Sequence, residues 1–487
     1  MWDASEAFES YILSFPEETS ELDLALDELP AGSRVRRLRR TLSGAVLRLR
    51  ASQARAFAER HPSARLERDA VVTAQGFRTS ARRTNRNRDD DDAVDDDAVD
   101  DAARVSSFAS ASATPSRHDR PLHWGLDRVD QRRLPLDGRA TRDPRAGAGT
   151  VLYVVDSGVF GGHADFGGRA RTAHDAFARD DVSPPFLRET RHTLDDSEDC
   201  FGHGTAVASL AAGAEAGLAP AASIVSVRVL DCDGNGLVSD VVAGLETVAE
   251  HFDALLETRI SEIGNREEIE ERSSIDSTST LVSAALTLSL GVPAGRASRS
   301  LDTAVRALAE TRGIAVVAAA GNSEGSRRGD DACSFSPGRA RGALTVGAAD
   351  AADRAWADGM TGRCVDLFAP GVEVLGASHA HQNAFAEWTG TSMAAPVVAG
   401  AILAAAAAAE TETDGRGAAA SLLDAATAGV LWDAWDEVDA FSDDTGEGER
   451  NGGVTFPVTW GARFRSLRAP PGRVLPGTPN KLLFHRE

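Results

Sequence analysis

Residues Thr150–Val155 read TVLYVV, an unbroken apolar run with the length of one buried strand, and Asp156 follows it directly. Strands that are apolar throughout and alternate with helices are typical of a parallel sheet covered on both faces. Similar runs follow at 223–229, 284–290, 313–319 and 343–348, with helical patterns between several of them. The sequence therefore predicts an α/β fold, a doubly wound parallel sheet flanked by helices, with chemistry at the carboxyl ends of the strands.

The composition limits the function classes open to these 487 residues. Acidic residues outnumber basic ones by 74 to 52, which gives a formal net charge of −22. Such a charge repels nucleic acid and anionic membranes, so we expect neither as a partner. Lys481 is the only lysine, close to the end of the sequence. Phosphate-loop ATPases, protein kinases and pyridoxal phosphate enzymes each need a central lysine, so the composition excludes them.

The sequence divides into three parts by pattern. Residues 1–76 combine short apolar runs, amphipathic stretches and a hairpin pattern, which predicts a small α+β domain. Within it we expect a helix capped by Ser52 and one strand over 64–74. Residues 77–121 include nine aspartates in thirteen consecutive positions, a density that predicts a disordered linker. Residues 122–487 carry the α/β pattern.

Three polar residues fall where this architecture places chemistry. Asp156 ends its strand, His203 opens a helix in DCFGHGTAVASL, and Ser392 opens an Ala-rich helix in WTGTSMAAPVVAG. A serine hydroxyl becomes a good nucleophile when an imidazole takes its proton, and a buried carboxylate must hold that imidazole. A helix N-terminus at Ser392 points backbone N–H groups at a developing oxyanion, and Asn322 in VVAAAGN could add a second donor. The pattern therefore predicts an Asp–His–Ser hydrolase.

The four cysteines are spaced in two pairs. Cys200 and Cys232 lie 32 residues apart, and Cys333 and Cys364 lie 31 apart. The sequence contains no C-x-x-C motif, so the spacing fits two local disulfides better than a zinc site, and four buried free thiols are the alternative. Disulfides indicate an oxidising compartment. The first residues, MWDASEAFES, show no signal-peptide pattern.

The motifs, in the order Asp, His, Asn, Ser, resemble those of subtilisin-like serine endopeptidases, specifically the proteinase K and aqualysin branch. The order Asp, His, Ser is itself a known mark of that family. The similarity covers nearly all of the sequence from Trp124, through WGLDRVDQRRLPLDG, HADFGGRA, VRVLDCDGNG, TLSLG, CVDLFAPG and GTPNKLLF. Residues 1–76 resemble the family's inhibitory propeptide. The resemblance implies a subtilisin-like domain preceded by a small ferredoxin-like propeptide domain.

It also implies roles for individual residues. Ser392 is the expected nucleophile, His203 the base and then acid, and Asp156 the residue that orients it. Asn322 is the expected oxyanion donor. No cofactor is expected for this chemistry. A serine esterase of the α/β-hydrolase type is a poor alternative, because the sequence has neither its G-x-S-x-G motif nor its order Ser, Asp, His. The alternative from another class is a catalytically inactive binding protein on a protease fold.

Substrate binding follows from the same resemblance. An extended peptide is expected to pair with two strand edges as an added strand. The residues of these edges are Gly234, Asn235 and Gly236 on one side and Ser289, Leu290 and Gly291 on the other. Ala319 and Gly321 are expected to wall the pocket for the residue before the scissile bond. Small uncharged residues there predict a broad preference for apolar or aromatic side chains.

The resemblance to the proteinase K and aqualysin branch implies that the cysteines pair as Cys200–Cys232 and Cys333–Cys364. The branch also binds calcium as a structural ion, which here implies Asp366 as a ligand, with carbonyls near Arg341 and Ala343.

Two positions depart from the family pattern. The usual Asn two residues before the histidine is Phe201, and the usual second histidine is Ala206. All reacting groups are nevertheless present. We therefore expect a monomeric endopeptidase of the extracellular space, secretory pathway or vacuole, which acts on polypeptides. Its own propeptide would inhibit it until the linker is cut between Arg82 and His123.

Overall fold

The structure is a computed structural model. It describes residues 7–16, 20–29, 33–74, 124–177, 199–267, 282–292, 297–323, 330–409, 413–428, 432–433 and 481–483. The predicted linker at 77–121 lies outside these ranges.

The N-terminal unit contains a four-stranded antiparallel sheet and two helices. Its elements are β1 (Phe8–Phe15), α1 (Ser20–Asp27), β2 (Arg34–Leu38), β3 (Ser43–Arg50), α2 (Ala51–Arg60), β4 (Arg65–Arg68) and β5 (Val71–Ala74). The sheet order is β2-β3-β1-β4. With the two helices this is the split βαβ arrangement of a ferredoxin-like fold, as expected.

Two details of the N-terminal prediction are wrong. Helix α2 begins at Ala51, and Arg50 rather than Ser52 is its cap, because β3 runs directly into the helix. The strand expected over 64–74 is two strands, β4 and β5, separated at Asp69 and Ala70. The chain turns there because β5 belongs to a different sheet.

The larger unit is built around a mainly parallel sheet. Its elements are α3 (Trp124–Val129), β6 (Val151–Asp156), β7 (Ala170–Asp175), α4 (His203–Ala212), β8 (Ser223–Arg228), β9 (Asn235–Leu237), α5 (Val238–Glu267), β10 (Ala284–Leu288), β11 (Leu290–Gly291), α6 (Arg299–Arg312), β12 (Ala315–Ala319), β13 (Ala343–Ala349), β14 (Arg354–Ala355), β15 (Leu367–Pro370), β16 (Val374–Ala377), β17 (Phe385–Trp388), α7 (Thr391–Ala408), α8 (Gly415–Ala425), β18 (Thr427–Ala428), β19 (Trp432–Asp433) and β20 (Lys481–Leu482).

The order along this sheet is β18-β20-β15-β13-β12-β10-β6-β8-β7. Neighbouring strands from β20 to β7 run parallel, whereas β18 is antiparallel at the edge. The five apolar runs of the sequence analysis form β6, β8, β10, β12 and β13. The predicted doubly wound sheet is therefore confirmed.

Both faces of the sheet are buried, and β6 shows how. Leu152 and Val154 belong to the core formed with α4 and α7, whereas Val151, Tyr153 and Val155 belong to the core formed with α5 and α6. Successive side chains of a strand point to opposite faces, so a strand covered on both sides must be apolar at every position. The unbroken apolar run TVLYVV therefore predicts a strand that is buried on both faces.

Helix α7 is the central helix of one of these cores. By length and composition it is the one helix among the described residues that could cross a membrane. However, 78% of that stretch is buried inside the protein. Its apolar surface is therefore already covered by the sheet and by α4, as expected for a central core helix.

The N-terminal unit packs on the larger unit through the second face of its sheet. Ile12, Leu38 and Val46 share a buried cluster with residues of α5 and α6. Polar contacts frame this cluster. The Glu67 carboxylate accepts the backbone N–H of Ser300 at the start of α6 over 3.0 Å. A carboxylate at a helix N-terminus satisfies free backbone N–H groups and interacts favourably with the helix dipole, so the docking is specific in register.

Candidate active site

The four residues predicted to carry chemistry lie at one edge of the sheet. Asp156 is the last residue of β6 and His203 is the first residue of α4. Ser392 is the second residue of α7, and Asn322 follows β12. Because the parallel strands end at the same edge, strand ends and helix starts bring these side chains together.

Asp156 holds the imidazole of His203 in one orientation. His203 Nδ1 lies 2.8 Å from Asp156 Oδ1, and both side chains are almost fully buried. The same oxygen accepts the backbone N–H of Ser157 over 2.7 Å. With Nδ1 engaged by the carboxylate, the ring presents Nε2 as the atom that can take a proton. Within the described residues Nε2 makes no hydrogen bond.

Ser392 and Ser289 are joined by two hydrogen bonds. The Ser392 hydroxyl donates to the Ser289 carbonyl over 3.1 Å, and the Ser289 hydroxyl donates to the Ser392 carbonyl over 2.7 Å. Ser289 lies between β10 and β11, and β10 is the direct neighbour of β6. The nucleophile candidate is thus tied to the strand next to Asp156.

Asn322 is tied to the residue before Ser392. Its Oδ1 atom accepts the hydroxyl of Thr391 over 2.7 Å and the backbone N–H of Thr391 over 3.2 Å. The hydroxyl oxygen of Thr391 in turn accepts the N–H of Gly321 over 3.2 Å. With its oxygen held on Thr391, the amide group offers its Nδ2–H groups as donors beside Ser392.

A second carboxylate, which the sequence analysis did not identify, organises the loop before His203. Asp199 Oδ1 accepts the backbone N–H of Gly202 over 2.7 Å and the Ser157 hydroxyl over 2.8 Å. Asp199 Oδ2 accepts the hydroxyl of Thr205 over 2.7 Å and its N–H over 2.8 Å. The sequence feature that could have identified Asp199 is its position four residues before His203, the first residue of α4, because an aspartate just before a helix is typical of a capping residue.

The predicted substrate-binding residues form two strand edges with an extended segment between them. That segment is β5, which pairs antiparallel with both β9 and β11. Thr73 lies opposite Asn235 on one side and Gly291 on the other. At the end of β5 the N–H of Ala74 donates to the carbonyl of Gly234 over 2.8 Å.

The remaining predicted residues are found as follows. Ala319 is fully buried in the core on the α7 side, and the N–H of Gly321 contacts Thr391. Their role as a pocket wall stays a prediction. Ala206 is also fully buried, on α4, so the place of the family's second histidine is filled by core packing.

The structure contains both expected disulfides, Cys200–Cys232 and Cys333–Cys364.

For calcium, Asp366 Oδ2 accepts the N–H of Thr345 over 2.8 Å, and burial raises the pKa of this carboxyl. The described residues contain no group of three or more His, Cys, Asp and Glu side chains arranged to hold a metal. Carbonyl ligands near Arg341 and Ala343 would therefore have to supply most of such a site, and calcium there stays a prediction.

Comparison with known proteins agrees with this architecture. Residues 147–433 match the model of the Subtilase family. The sequence is 38% identical over 281 residues to "Extracellular serine proteinase" of Thermus sp., covering 58% of this chain and 56% of the relative. It is 35% identical over 277 residues to "Alkaline serine exoprotease A" of Vibrio alginolyticus, covering 57% and 42%. The chain thus spans about half the length of the curated relatives it matches.

A solved structure described as a cold adapted subtilisin-like serine proteinase is also similar. It matches with a TM-score of 0.52 and 29% identity, over 76% of this chain and all of the other. The family match covers more than half of the sequence. It includes all four candidate residues, Asp156, His203, Asn322 and Ser392. This chain belongs to the subtilase family.

Proposed function

We propose that this protein is a serine endopeptidase that is made as a self-processing zymogen and uses Asp156, His203 and Ser392. The observation that carries the proposal is the buried 2.8 Å contact between His203 Nδ1 and Asp156 Oδ1 at the strand edge shared with Ser392. A carboxylate in this position fixes the tautomer that leaves Nε2 free to act as a base.

In the proposed reaction the Ser392 hydroxyl turns from the Ser289 carbonyl to the substrate and attacks the peptide carbonyl carbon. His203 Nε2 takes the hydroxyl proton, and Asp156 stabilises the imidazolium. The tetrahedral oxyanion accepts hydrogen bonds from Asn322 Nδ2 and the backbone N–H of Ser392. His203 then gives its proton to the leaving amine. The C–N bond breaks in this step and leaves an acyl-enzyme. Water then gives a proton to His203 and attacks the acyl carbon, and the Ser392 oxygen leaves with that proton, so no cofactor is needed.

The pairing of β5 supports extended polypeptides as the substrate class. A four-residue segment is held between β9 and β11 through backbone groups, which every peptide has. Side-chain selectivity then depends on the pockets. We propose a broad preference for apolar or aromatic residues immediately before the scissile bond, from the small residues at Ala319 and Gly321.

The same pairing supports the N-terminal unit as an intramolecular inhibitor, because its last strand fills the groove that a substrate would use. The register also favours a first cut earlier than the linker bonds between Arg82 and His123. Gly291 faces Thr73 and Leu290 faces Ala74, and the next residue along this edge is Ser289, whose carbonyl accepts the Ser392 hydroxyl. The first cut would then follow Gln75.

Gln75 is polar, whereas the proposed preference is apolar. This is compatible with self-cleavage, because a tethered segment is present at a high effective concentration and needs little help from its side chain. A cut within 82–123 would be a later trimming step.

The two disulfides support export to an oxidising compartment, and we propose an extracellular or secretory-pathway location. We also propose that a single chain is the active unit.

The proposal is tested by following casein hydrolysis and intact mass for the purified chain beside Ser392→Ala. We expect the wild-type chain to cut itself, with a new N-terminus at Gly76, and to hydrolyse casein. The Ser392→Ala chain should stay intact and inactive. If neither chain hydrolyses casein after the N-terminal unit has been removed with another protease, the inactive binding-protein alternative replaces this proposal.

A further inference from the structure

The disulfide Cys200–Cys232 joins two segments that the proposed reaction uses. Cys200 lies three residues before His203, in the loop that leads into α4. Cys232 lies between β8 and β9, two residues before Gly234, whose carbonyl accepts the N–H of Ala74 over 2.8 Å. The disulfide therefore ties the loop of the candidate base to the strand edge on which an extended segment is held.

A guanidinium group lies against this disulfide. Arg228 Nη2 donates to Cys200 Sγ over 3.2 Å and lies 3.8 Å from Cys232 Sγ. Arg228 is the last residue of β8 and is 6% exposed, whereas both cysteines are half-buried. A positive charge is therefore held inside the protein beside sulfur atoms that belong to partly exposed residues.

The carboxylates around Arg228 do not draw its charge away from the sulfur atoms. Asp175 Oδ2 lies 3.6 Å from Nη1, farther than Cys200 Sγ lies from Nη2. Asp199 and Asp231, each next to one of the cysteines in sequence, accept backbone N–H groups of their own loops. These carboxylates weaken the field of the guanidinium at the disulfide but leave its N–H group directed at sulfur.

The two disulfides of the protein should differ in their reactivity with thiols. A cation beside a cysteine favours the thiolate over the thiol, and a stabilised thiolate is a better leaving group in thiol–disulfide exchange. Cys200 carries the sulfur atom nearer to the guanidinium. Cys364 of the second disulfide instead packs against an apolar cluster that includes Phe335, and apolar surroundings disfavour a thiolate. Cys200–Cys232 should therefore be opened by thiols faster than Cys333–Cys364.

We propose that Cys200–Cys232 is a thiol-sensitive switch that a dithiol reductant opens, and that opening it turns the peptidase off. One thiolate of the reductant attacks Cys232 Sγ, the S–S bond breaks, and the Cys200 thiolate leaves beside Arg228. The second thiolate of the reductant attacks the reductant's own sulfur in the mixed disulfide and releases the Cys232 thiolate. The dithiol loses two electrons and two protons and becomes a disulfide, and the cysteine pair gains two electrons and two protons.

Opening the disulfide releases the loop before His203 from the strand edge at Gly234. The catalytic step depends on how the imidazole is aimed, and a misplacement of about 1 Å can cost on the order of 10²-fold in rate. We therefore expect the reduced protein to lose activity about tenfold or more. This loss rests on the proposed peptidase function, whereas the exchange reaction at the cysteines does not.

The exchange reaction is tested on the full-length Ser392→Ala chain, which cannot digest itself under the proposed mechanism. Dithiothreitol is the reductant, samples are quenched with an alkylating agent, and mass spectrometry gives the reduction rate of each cysteine pair. Cys200–Cys232 should be reduced about tenfold or more faster than Cys333–Cys364. Equal rates, or faster reduction of Cys333–Cys364, would overturn the inference.

Substitutions of arginine isolate the effect of the charge. Arg228→Gln should slow the reduction of Cys200–Cys232 about three- to tenfold, and Arg228→Lys, which keeps a positive charge, should slow it less. Arg171→Gln is the matched control, because Arg171 on the neighbouring strand β7 donates to backbone carbonyls, and it should leave the rate unchanged. The rate of Cys333–Cys364 shows whether each variant is folded, since unfolding would expose this pair as well. An unchanged rate in folded Arg228→Gln would overturn the inference.

The effect on activity is tested with the self-processed protein, which hydrolyses a peptide amide during the same reduction. Activity should fall about tenfold or more as Cys200–Cys232 opens, before Cys333–Cys364 reacts, and oxidised glutathione should restore it. A chain with both Cys200→Ser and Cys232→Ser should start at the low activity and show no response to dithiothreitol. Full activity with Cys200–Cys232 open would overturn the inference. A protein that is inactive before any reductant is added would instead contradict the proposed function, while the exchange rates still report on the disulfide.

Discussion

Asp69 of the N-terminal unit accepts the backbone N–H of Ser239 through its Oδ1 atom over 3.0 Å. This contact brings the charge of Asp69 beside Asp240, the next residue of α5. Burial, together with the smaller effect of the Asp69 charge, raises the pKa of Asp240 to about 7. Burial also raises the pKa of Asp69, although hydrogen bonds from Ser239 and Ser10 oppose the shift. The interface therefore contains two carboxyl groups that compete to be ionised.

We predict that docking of the N-terminal unit weakens as pH rises. The pKa of Asp240 is raised in the docked state, so docking takes up a proton. Its stabilisation is complete below the ordinary aspartate pKa and is lost as pH rises to about 7. Arg36, the nearby cation, favours the ionised form of Asp240 and limits the effect. His174, close to Arg36, has a pKa lowered to about 4 by burial and by the Arg36 charge, so it is neutral over most of this range.

The measurement is amide hydrogen exchange of β5 in Ser392→Ala chains with and without Asp240→Asn. Comparing the two at each pH cancels the intrinsic pH dependence of exchange. Protection should be similar near the ordinary aspartate pKa, at about pH 4, and about tenfold higher in the Asp240→Asn chain at pH 7 to 8, because the amide imitates the protonated carboxyl. A ratio that does not change with pH would show that this pair does not control docking.

Replacing Asn322 with alanine should lower kcat about 10²- to 10³-fold with little change in KM. The expected reason is that its Nδ2–H groups stabilise charge that develops only in the transition state. Steady-state kinetics on a peptide ester and on the matching amide would measure it. Asn383→Ala, an exposed asparagine in the loop before β17, is the control and should leave kcat unchanged. A rise in KM with no change in kcat would exclude the oxyanion role.

Glu246→Gln should loosen the N-terminal unit at every pH. The buried Glu246 carboxylate accepts the backbone N–H groups of Arg39 and Arg40, each over 2.6 Å, and both the N–H and hydroxyl of Thr41. An amide would turn an NH₂ group toward these donors, at a cost of about 2 kcal/mol or roughly 30-fold in docking.

The readout for Glu246→Gln is the same hydrogen exchange of β5 in the Ser392→Ala chain. Glu250→Gln is the matched control on the same helix, since its side chain is 53% exposed and lies 4.0 Å from Arg40. It should change protection by less than about fivefold. Equal effects of the two variants would count against Glu246 as the main polar anchor.

The pair Arg128–Asp353 should be important for stability. Arg128 Nε and Nη2 contact the two oxygens of Asp353 over 2.6 and 3.1 Å, and both residues are buried. Asp353→Ala leaves a buried cation without its partner, so we expect a loss of about 3–5 kcal/mol in the free energy of unfolding. Urea denaturation of Ser392→Ala chains would measure it. Glu310→Ala, which breaks an exposed pair with Arg341, should cost less than about 1 kcal/mol.

Local pattern was sufficient for the large sheet and for the candidate reacting groups. Residues 151–155 of β6 are all apolar because both faces of the strand are covered, and this environment can be read from the sequence of the strand alone. Asp156, His203 and Ser392 could be located because each ends a strand or lies within the first two residues of a helix.

Contacts between distant segments could not be read in this way. The pairing of β5 with β9 and β11 joins residues about 160 to 220 positions apart, and no periodicity within 64–74 distinguishes it from continued pairing in the first sheet. The same holds for Asp199. Its capping pattern is visible, but its bond to the Ser157 hydroxyl, which fixes the loop against β6, depends on the folded arrangement.

The most direct measurement of the central claim is labelling by a serine-directed fluorophosphonate, mapped by mass spectrometry, with casein hydrolysis followed in parallel. The self-processed protein should take up one label per chain, on Ser392. Ser392→Ala should take up no label. His203→Ala should be labelled at least about 10³-fold more slowly than the wild-type protein. Casein hydrolysis should fall in the same order. Labelling of another serine, or equal hydrolysis by the Ser392→Ala chain, would contradict the account.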